Sequence, residues 1–294
     1  MKKILIVVCA ALLVGVSAKG QDAASVAMDF SAVQRSPKAL GMGGTDAFDA
    51  VSSRLVSGKK LFAEAGFSSW KASSPSTDLN FDFFSAIGGK VGISAFFSSD
   101  KGEAYEDFTS LGISNGEFTP NDLRVGLGLA YNLGPVAIGV TGRYLSRSLA
   151  EDAKYGAFSA DVLASAKLLD DALSLSGGVT GLGGKVKSQS GDVYPLPTAL
   201  MASADYRLDF GLDFAAQLDY FFSGGGLRAG LGAQYSFKDI AFARLGYSYG
   251  GKTFLPSYVS AGLGARVAGI GLDAAMLFGG DVPGTFMIGL NYGF

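Results

Sequence analysis

The feature that most constrains this chain is a two-residue alternation of apolar with small or polar side chains that returns along most of its length. In the last segment Phe286, Ile288, Leu290, Tyr292 and Phe294 alternate with Thr285, Met287, Gly289, Asn291 and Gly293. Successive side chains of a strand point to opposite faces, so this pattern predicts a strand with one apolar and aromatic face and one small or polar face. The pattern recurs at Leu123, Val125, Leu127, Leu129 and Tyr131, and again at Leu227, Ala229, Leu231, Ala233, Tyr235 and Phe237. Fourteen such segments start near Leu61, Leu79, Lys90, Asp122, Val136, Ala157, Ala172, Ala199, Phe210, Leu227, Ile240, Ser257, Ile270 and Thr285. Their connections alternate in length. Short turns sit at Gly88-Gly89, Gly134-Pro135, Asp170-Asp171, Leu208-Asp209, Lys238-Asp239 and Ala268-Gly269, with longer polar loops near 71–78, 100–121, 146–156, 182–197, 223–226, 250–256 and 279–284.

An even strand number with short turns at one end and longer loops at the other is the layout of a bacterial membrane barrel. In hydrocarbon every backbone N–H and C=O must pair within the protein, and a closed sheet leaves no unpaired edge. The expected fold is all-β: a transmembrane antiparallel β-barrel of 14 strands, with an apolar outside and a small, polar inside. A soluble sandwich or barrel with its apolar face turned inward is the competing fold. The loop asymmetry, the aromatic end at Phe294 and apolar faces of roughly five residues per strand speak against it.

Composition narrows the function. The 294 residues include 43 Gly and no His. Without imidazole, Ser-His-Asp and Cys-His chemistry and the usual zinc sites cannot be assembled. Carboxylate pairs such as Glu151-Asp152 and Asp170-Asp171 fall in expected loops or turns, so no enzyme, metal or cofactor is expected. Residues 1–20 read as a secretory signal, with Lys2 and Lys3 as the charged region, Ile4 to Val16 as the apolar stretch and Val16-Ser17-Ala18 for cleavage. That stretch is too short to span a bilayer, which takes about 20 residues as a helix. The only Cys, Cys9, leaves with the signal. Losing Lys2, Lys3 and Lys19 from 24 basic residues leaves 21 against 26 acidic ones, a net of −5 that disfavours nucleic acid as a partner. No later run of apolar residues is long enough for a helical span, so the mean hydropathy of +0.30 comes from the strands.

Residues 21–58 do not alternate, and the run Ser36-Pro37-Lys38-Ala39-Leu40-Gly41-Met42-Gly43-Gly44 is expected to break helix and strand alike. As a free tail the segment would expose Phe30, Val33, Leu40, Met42, Phe48, Val51 and Leu55 to water, so it is expected to fold into the barrel 59–294 as a plug or hatch. Pro37, Leu40, Gly41, Met42, Gly43 and Gly44 form its motif. Strand parity turns Arg124, Arg143, Asp161, Lys167, Asp205, Arg207, Asp213, Gln217, Asp219, Arg228, Gln234, Arg244, Arg266 and Asp273 toward the lumen. They either line a polar channel or pair across the lumen and hold the plug. Phe62, Phe84, Phe96, Leu163 and Phe242 share that parity and either form a greasy path or pack on the plug. Trp70, Tyr131, Tyr206, Tyr220, Tyr235, Tyr249 and Tyr292 suit interfacial girdles.

The Ser36 to Gly44 stretch soon after a signal, followed by Asp46 to Ser53 and a barrel ending on Phe294, resembles the PorV/PorQ family of outer-membrane proteins, itself similar to the FadL long-chain fatty acid transporters. Where relatives carry an Asn-Pro-Ala-like motif before the first strand, this chain reads Ser53-Arg54-Leu55-Val56-Ser57-Gly58-Lys59-Lys60-Leu61. The resemblance implies a Gram-negative outer-membrane barrel with an inner N-terminal segment, and six short turns against seven longer loops put both termini on the short-turn, periplasmic side. Outer-membrane lipid and the barrel-assembly machinery are the partners expected of such a barrel, with Phe286, Ile288, Leu290, Tyr292 and Phe294 as the targeting signal. For function the resemblance implies passage or binding of a small hydrophobic molecule, or alternatively a docking role in a type IX-like secretion complex.

Overall fold

The computed structural model describes residues 26–294 except 72–74, 109–111, 113, 224–225, 252, 280–281 and 283. The expected signal at 1–20, residues 21–25 of the expected plug and parts of several expected loops lie outside the described residues. The strands are β1 (Leu61–Trp70), β2 (Ser76–Ile87), β3 (Val91–Gly102), β4 (Tyr105–Phe108), β5 (Ser114–Phe118), β6 (Asn121–Asn132), β7 (Val136–Ser148), β8 (Lys154–Leu168) and β9 (Leu173–Gly183). They continue as β10 (Lys185–Lys187), β11 (Val193–Pro195), β12 (Ala199–Arg207), β13 (Leu212–Phe221), β14 (Gly226–Phe237), β15 (Ala241–Tyr249), β16 (Tyr258–Val267), β17 (Ile270–Phe278) and β18 (Phe286–Gly293). Fourteen of them form a closed antiparallel barrel in which each pairs with its sequence neighbours, and β18 returns to β1 from Phe62↔Gly293 to Ser69↔Phe286. Every expected strand is present and begins within three residues of its expected position.

The turns follow from local stereochemistry. Gly88-Gly89, Lys238-Asp239 and Ala268-Gly269 all have positive φ at both positions, the mirror-image turn whose twist matches that of the strands it joins. At the other end, two expected loops carry structure of their own. The 100–121 connection folds into the β4–β5 hairpin and the 182–197 connection contains β10–β11, each a separate two-stranded sheet. Tyr105 and Phe118 pair across the first hairpin with ring centroids 5.9 Å apart, a cross-strand contact that spacing in sequence does not display.

The outside of the barrel is apolar. Leu127, Leu245 and Leu263 are 66–70% exposed, and Phe286, Ile288, Leu290, Tyr292 and Phe294 all face outward. Such a surface suits lipid rather than water. Among the described residues no helix is long and apolar enough to cross a membrane. Trp70 departs from its expected place in a girdle: it is buried inside, in a cluster with Leu40, Tyr258, Leu277 and Met287. It ends β1 on inward parity, and the inner segment covers it.

Residues 26–58 run through the lumen. At the loop end the Ala27 N–H donates to the Pro195 carbonyl at 2.9 Å, and at the turn end the Lys60 N–H donates to the Phe294 carbonyl at 2.9 Å. Only the two ends of the barrel itself therefore share a side, because the inner segment crosses the lumen before β1 and carries the start of the described chain to the loop end. Nor does the Ser36 to Gly44 run exclude helix. Pro37 opens a one-turn helix, Pro37–Gly41, in a position where its missing N–H costs nothing. Gly43 and Gly44 close it with φ of 70° and 75°, the Gly44 N–H donating to the Ala39 carbonyl at 2.8 Å. A second short helix, Val51–Val56, packs Val51 and Leu55 against Phe62, Phe84, Ala130 and Ala137.

Candidate ligand site in the barrel interior

On the side formed by β13 to β18, the inner segment lies directly on the wall. Gly43 sits so close that an added Cβ would come within 2.4 Å of the Leu231 carbonyl oxygen and 2.5 Å of that of Tyr247. Its neighbours on the wall have no side chain either: Gly232 faces Met42, Gly246 faces Gly43 and Gly262 faces Gly41. Glycine on the inward parity of adjacent strands thus makes room for a backbone. The Gly43 N–H donates to Ser260 Oγ at 3.2 Å.

Charges fasten the same side. Arg228 is almost fully buried, donates to Asp219 at 2.7 Å and to the Gly43 carbonyl at 3.2 Å, and also binds the Gly44 carbonyl. Gln217 accepts from the N–H groups of Asp46 (2.9 Å) and Ala47 (3.2 Å) and donates to the Asp46 carboxylate at 2.9 Å. Below them Arg244 donates to Gln234 at 2.6 Å and to Asp273 at 2.5 Å, and Asn291 donates to the other Asp273 oxygen at 2.7 Å. These groups satisfy one another, which is what burial of charge requires.

Three further arginines tie the segment to the rest of the wall. Arg35 pairs with Asp78 at 2.8 Å and Asp100 at 3.4 Å, and Arg54 pairs with Asp49 at 3.1 Å and with Asp82. Arg143 pairs with Asp161 and donates to the Ser31 carbonyl at 3.4 Å. Asp161 stands at a bulge between β8 and β9, where its carboxylate accepts the Gly181 N–H at 2.8 Å. Burial lowers the pKa of Lys38, which lies 3.7 Å from the Phe48 ring centroid near Asp49 and Asp205. Burial, together with the charges of Lys38 and Arg54, also lowers that of Lys59 to about 8.

Between the inner segment and the wall, running from β1 round to Asp219 and Arg228 on β13 and β14, is a cavity of about 230 Å³. Its lining mixes apolar groups such as Val33, Phe96, Leu163 and Phe221 with Arg124, Arg143 and Glu64. Outside the barrel, across β1, β2, β3 and β6, lies an apolar groove of about 700 Å³. Cavity and groove share Glu64, Phe81, Asp82, Phe96 and Phe97 as lining, so here the wall is one residue layer thick between them. Asn291, Glu64, Asp82, Phe96 and Gly126 are successive cross-strand partners in one row. The Phe96 ring folds over Gly126, where a Cβ would meet it at 2.2 Å, and the Arg124 guanidinium lies 5.3 Å from its centroid.

The residues expected in the lumen divide into three groups. Gln217, Asp219, Arg228, Arg244, Gln234 and Asp273 are brought together on the fastened side, with Asp213 reached through Gln234 at 3.0 Å. Arg124 and Arg143 line the cavity, while Asp205 lies on the turn half of the wall, near Lys38. Arg207 and Arg266 keep the inward parity but do not line the lumen. Each sits at the last or next-to-last residue of its strand and is exposed at the turn-end mouth, Arg207 pairing with Asp213 at 3.0 Å and Arg266 stacking on Phe242. Glu64, Asp78, Asn80 and Asp82 stand outside the residues expected in the lumen, although Glu64 and Asp82 share the parity of Phe62 and Phe84. No such signal marked Arg35, Asp49 and Arg54, which belong to the non-alternating segment.

The sequence matches no family model and no curated protein. In fold, the chain is similar to the toluene transporter TbuX of Ralstonia pickettii, with TM-score 0.64 and 12% identity over 90% of this chain and 100% of that one. It is similar to the toluene transporter TodX of Pseudomonas putida, with TM-score 0.58 and 14% identity over 87% of this chain and 96% of that one. A FadL homologue of Pseudomonas aeruginosa aligns over 88% of this chain and 98% of its own, with TM-score 0.50 and 10% identity. The resemblance therefore holds at the level of the FadL-like barrel, and none of these three is a PorV or PorQ protein. A shared barrel does not specify a cargo, because function resides in the site and not in the fold. The chain has the fold of FadL-like outer-membrane transporters.

Proposed function

We infer that this protein is an outer-membrane channel that takes a small hydrophobic solute from the loop side into the interior cavity and releases it sideways through the wall at β1 to β3. The observation that carries this reading is the shared lining of the inner cavity and the outer groove. Its support from the fold is the likeness to barrels described as toluene transporters. Residues 26–58 act as the plug: they fill the lumen toward the turn end, where Val51, Leu55, Phe62 and Phe84 pack together, and leave the side wall as the shorter route. A hydrophobic solute leaving sideways enters lipid without crossing the polar turn-end mouth. In this reading the loops face outside and the short turns face the periplasm.

The test is uptake of radiolabelled toluene into proteoliposomes with a lipopolysaccharide outer leaflet, which slows free diffusion. The mature barrel should raise uptake over protein-free vesicles, and Ala95→Trp, which fills the outer groove, should abolish the increase. Uptake equal to that of empty vesicles would remove the transport reading. Ion conductance should be closed in the intact protein and open after deletion of residues 26–55. Conductance that stays closed after deletion would show that the segment is not the plug.

A further inference from the structure

Glu64 is the buried group that the interior network leaves out. It is 9% exposed, lines both the cavity and the outer groove, and among the described residues makes no hydrogen bond or ion pair. Its neighbours are committed elsewhere. On one side Asn291 donates to Asp273, and on the other Asp82 is held by Arg54. From the inner segment Asp49 faces it and is likewise engaged with Arg54, and Pro37 packs nearby over Gly289. One guanidinium is thus shared between two carboxylates, and the third carboxyl stands open to the space where cavity and groove meet. A buried polar group without a partner is costly, and one that faces a cavity gains a partner when a ligand supplies it.

We propose that Glu64 is a specificity-determining residue at the wall crossing. It selects apolar molecules that carry a hydrogen-bond donor, such as phenols and alcohols, and turns away carboxylate-bearing amphiphiles. The proposal rests on the transport reading above. Its chemistry is direct: a hydroxyl donates to the Glu64 carboxyl while the ring or chain of the solute contacts Phe96 and Phe97. In alkaline buffer a carboxylate at the same place meets the ionised Glu64 beside Asp82 and Asp49, whose shared Arg54 is already engaged, and like charges at close range in an apolar wall repel strongly.

The experiment compares uptake of toluene, 4-methylphenol and 4-methylbenzoate, which share one ring and differ in the polar group, into the same proteoliposomes at about pH 9, where the carboxyl groups are charged and 4-methylphenol is neutral. The intact mature barrel should take up 4-methylphenol fastest and 4-methylbenzoate slowest. Glu64→Gln keeps the shape and removes the charge, and it should raise 4-methylbenzoate uptake at least about tenfold. Glu64→Leu removes the acceptor, and it should bring 4-methylphenol down to the toluene rate, because a site loses its preference with the group that reads it. Heat-modifiable gel mobility checks that each variant is a folded barrel, and the order of the three probes in the unaltered protein tests the idea without any variant. Rates above empty vesicles with the same probe order in all three proteins would overturn the role of Glu64 and leave transport standing. No uptake of any probe by the unaltered barrel would overturn both.

Discussion

The two sides of the barrel hold the inner segment in different ways. Against β13 to β18 the segment lies backbone on backbone over Gly232, Gly246 and Gly262, and Arg228, Asp219 and Gln217 close a satisfied network on Gly43 to Ala47. Against β1 to β6 it touches the wall through Val51 and Leu55 at the turn end and through Arg35 and Arg54, and elsewhere stands off behind a cavity, where Glu64 has no partner among the described residues. The same composition serves both: inward glycine lets a backbone dock on one side, and at Gly126 it receives a ring from the neighbouring strand on the other. The contrast teaches that a polar interior need not be a channel. Where the charges pair with the inner segment they hold structure, and where one is left over they meet whatever enters.

The largest effect that would break this contrast is expected at Arg228. Arg228→Met leaves the buried Asp219 carboxylate without its counter-charge, held by Gln217 alone at 3.2 Å, and two carbonyls without that donor, and should cost about 3–5 kcal/mol in urea unfolding from lipid vesicles. Next comes Gly43→Ala. An alanine there carries the left-handed backbone and collides with the Leu231 and Tyr247 carbonyl oxygens, for a combined loss of about 2–4 kcal/mol. Increased ion leakage should accompany that loss as the segment lifts from the wall. On the open side, Phe96→Ala should cost only about 1–2 kcal/mol, less than a packed core phenylalanine, because its ring borders cavity and groove. It should also speed toluene uptake, and a cost equal to that of Arg228→Met would erase the distinction between the sides.

The smallest effect concerns pH. Lys59 has its pKa lowered to about 8 in the folded protein from 10.5, so between those values the unfolded chain binds more protons. Stability should therefore rise as pH goes from about 8 to 10.5 and stay level just below that window. Lys59→Met should flatten this part of the profile, measured as the urea midpoint at several pH values.

Much of the barrel was legible in the residues, and rather less of the site. Arg228, Asp219, Gln217 and Arg244 were assigned inward by parity, but parity says nothing about partners. Arg207 and Arg266 share that parity and sit outside the lumen only because their strands end there. Trp70 passed for an interfacial aromatic because a strand end looks the same whether lipid or an inner segment covers it. The one-turn helix at Pro37 was hidden by the glycines that terminate it.

The sequence by itself determined the number of barrel strands, the faces of each and the alternation of short turns with long loops. These are local properties, written in a period of two and in residues that accept positive φ. The tertiary structure alone decided which inward charges are spent on the inner segment and which one is left facing the cavity. Gly43 meets Ser260 across 217 residues of chain and Asp46 meets Gln217 across 171. Contacts of that span exist only once the barrel has closed and the segment has chosen its side. Among the described residues Glu64 stays unpaired for the same reason: the arginine near enough to answer it comes from the inner segment and is already shared by two other carboxylates.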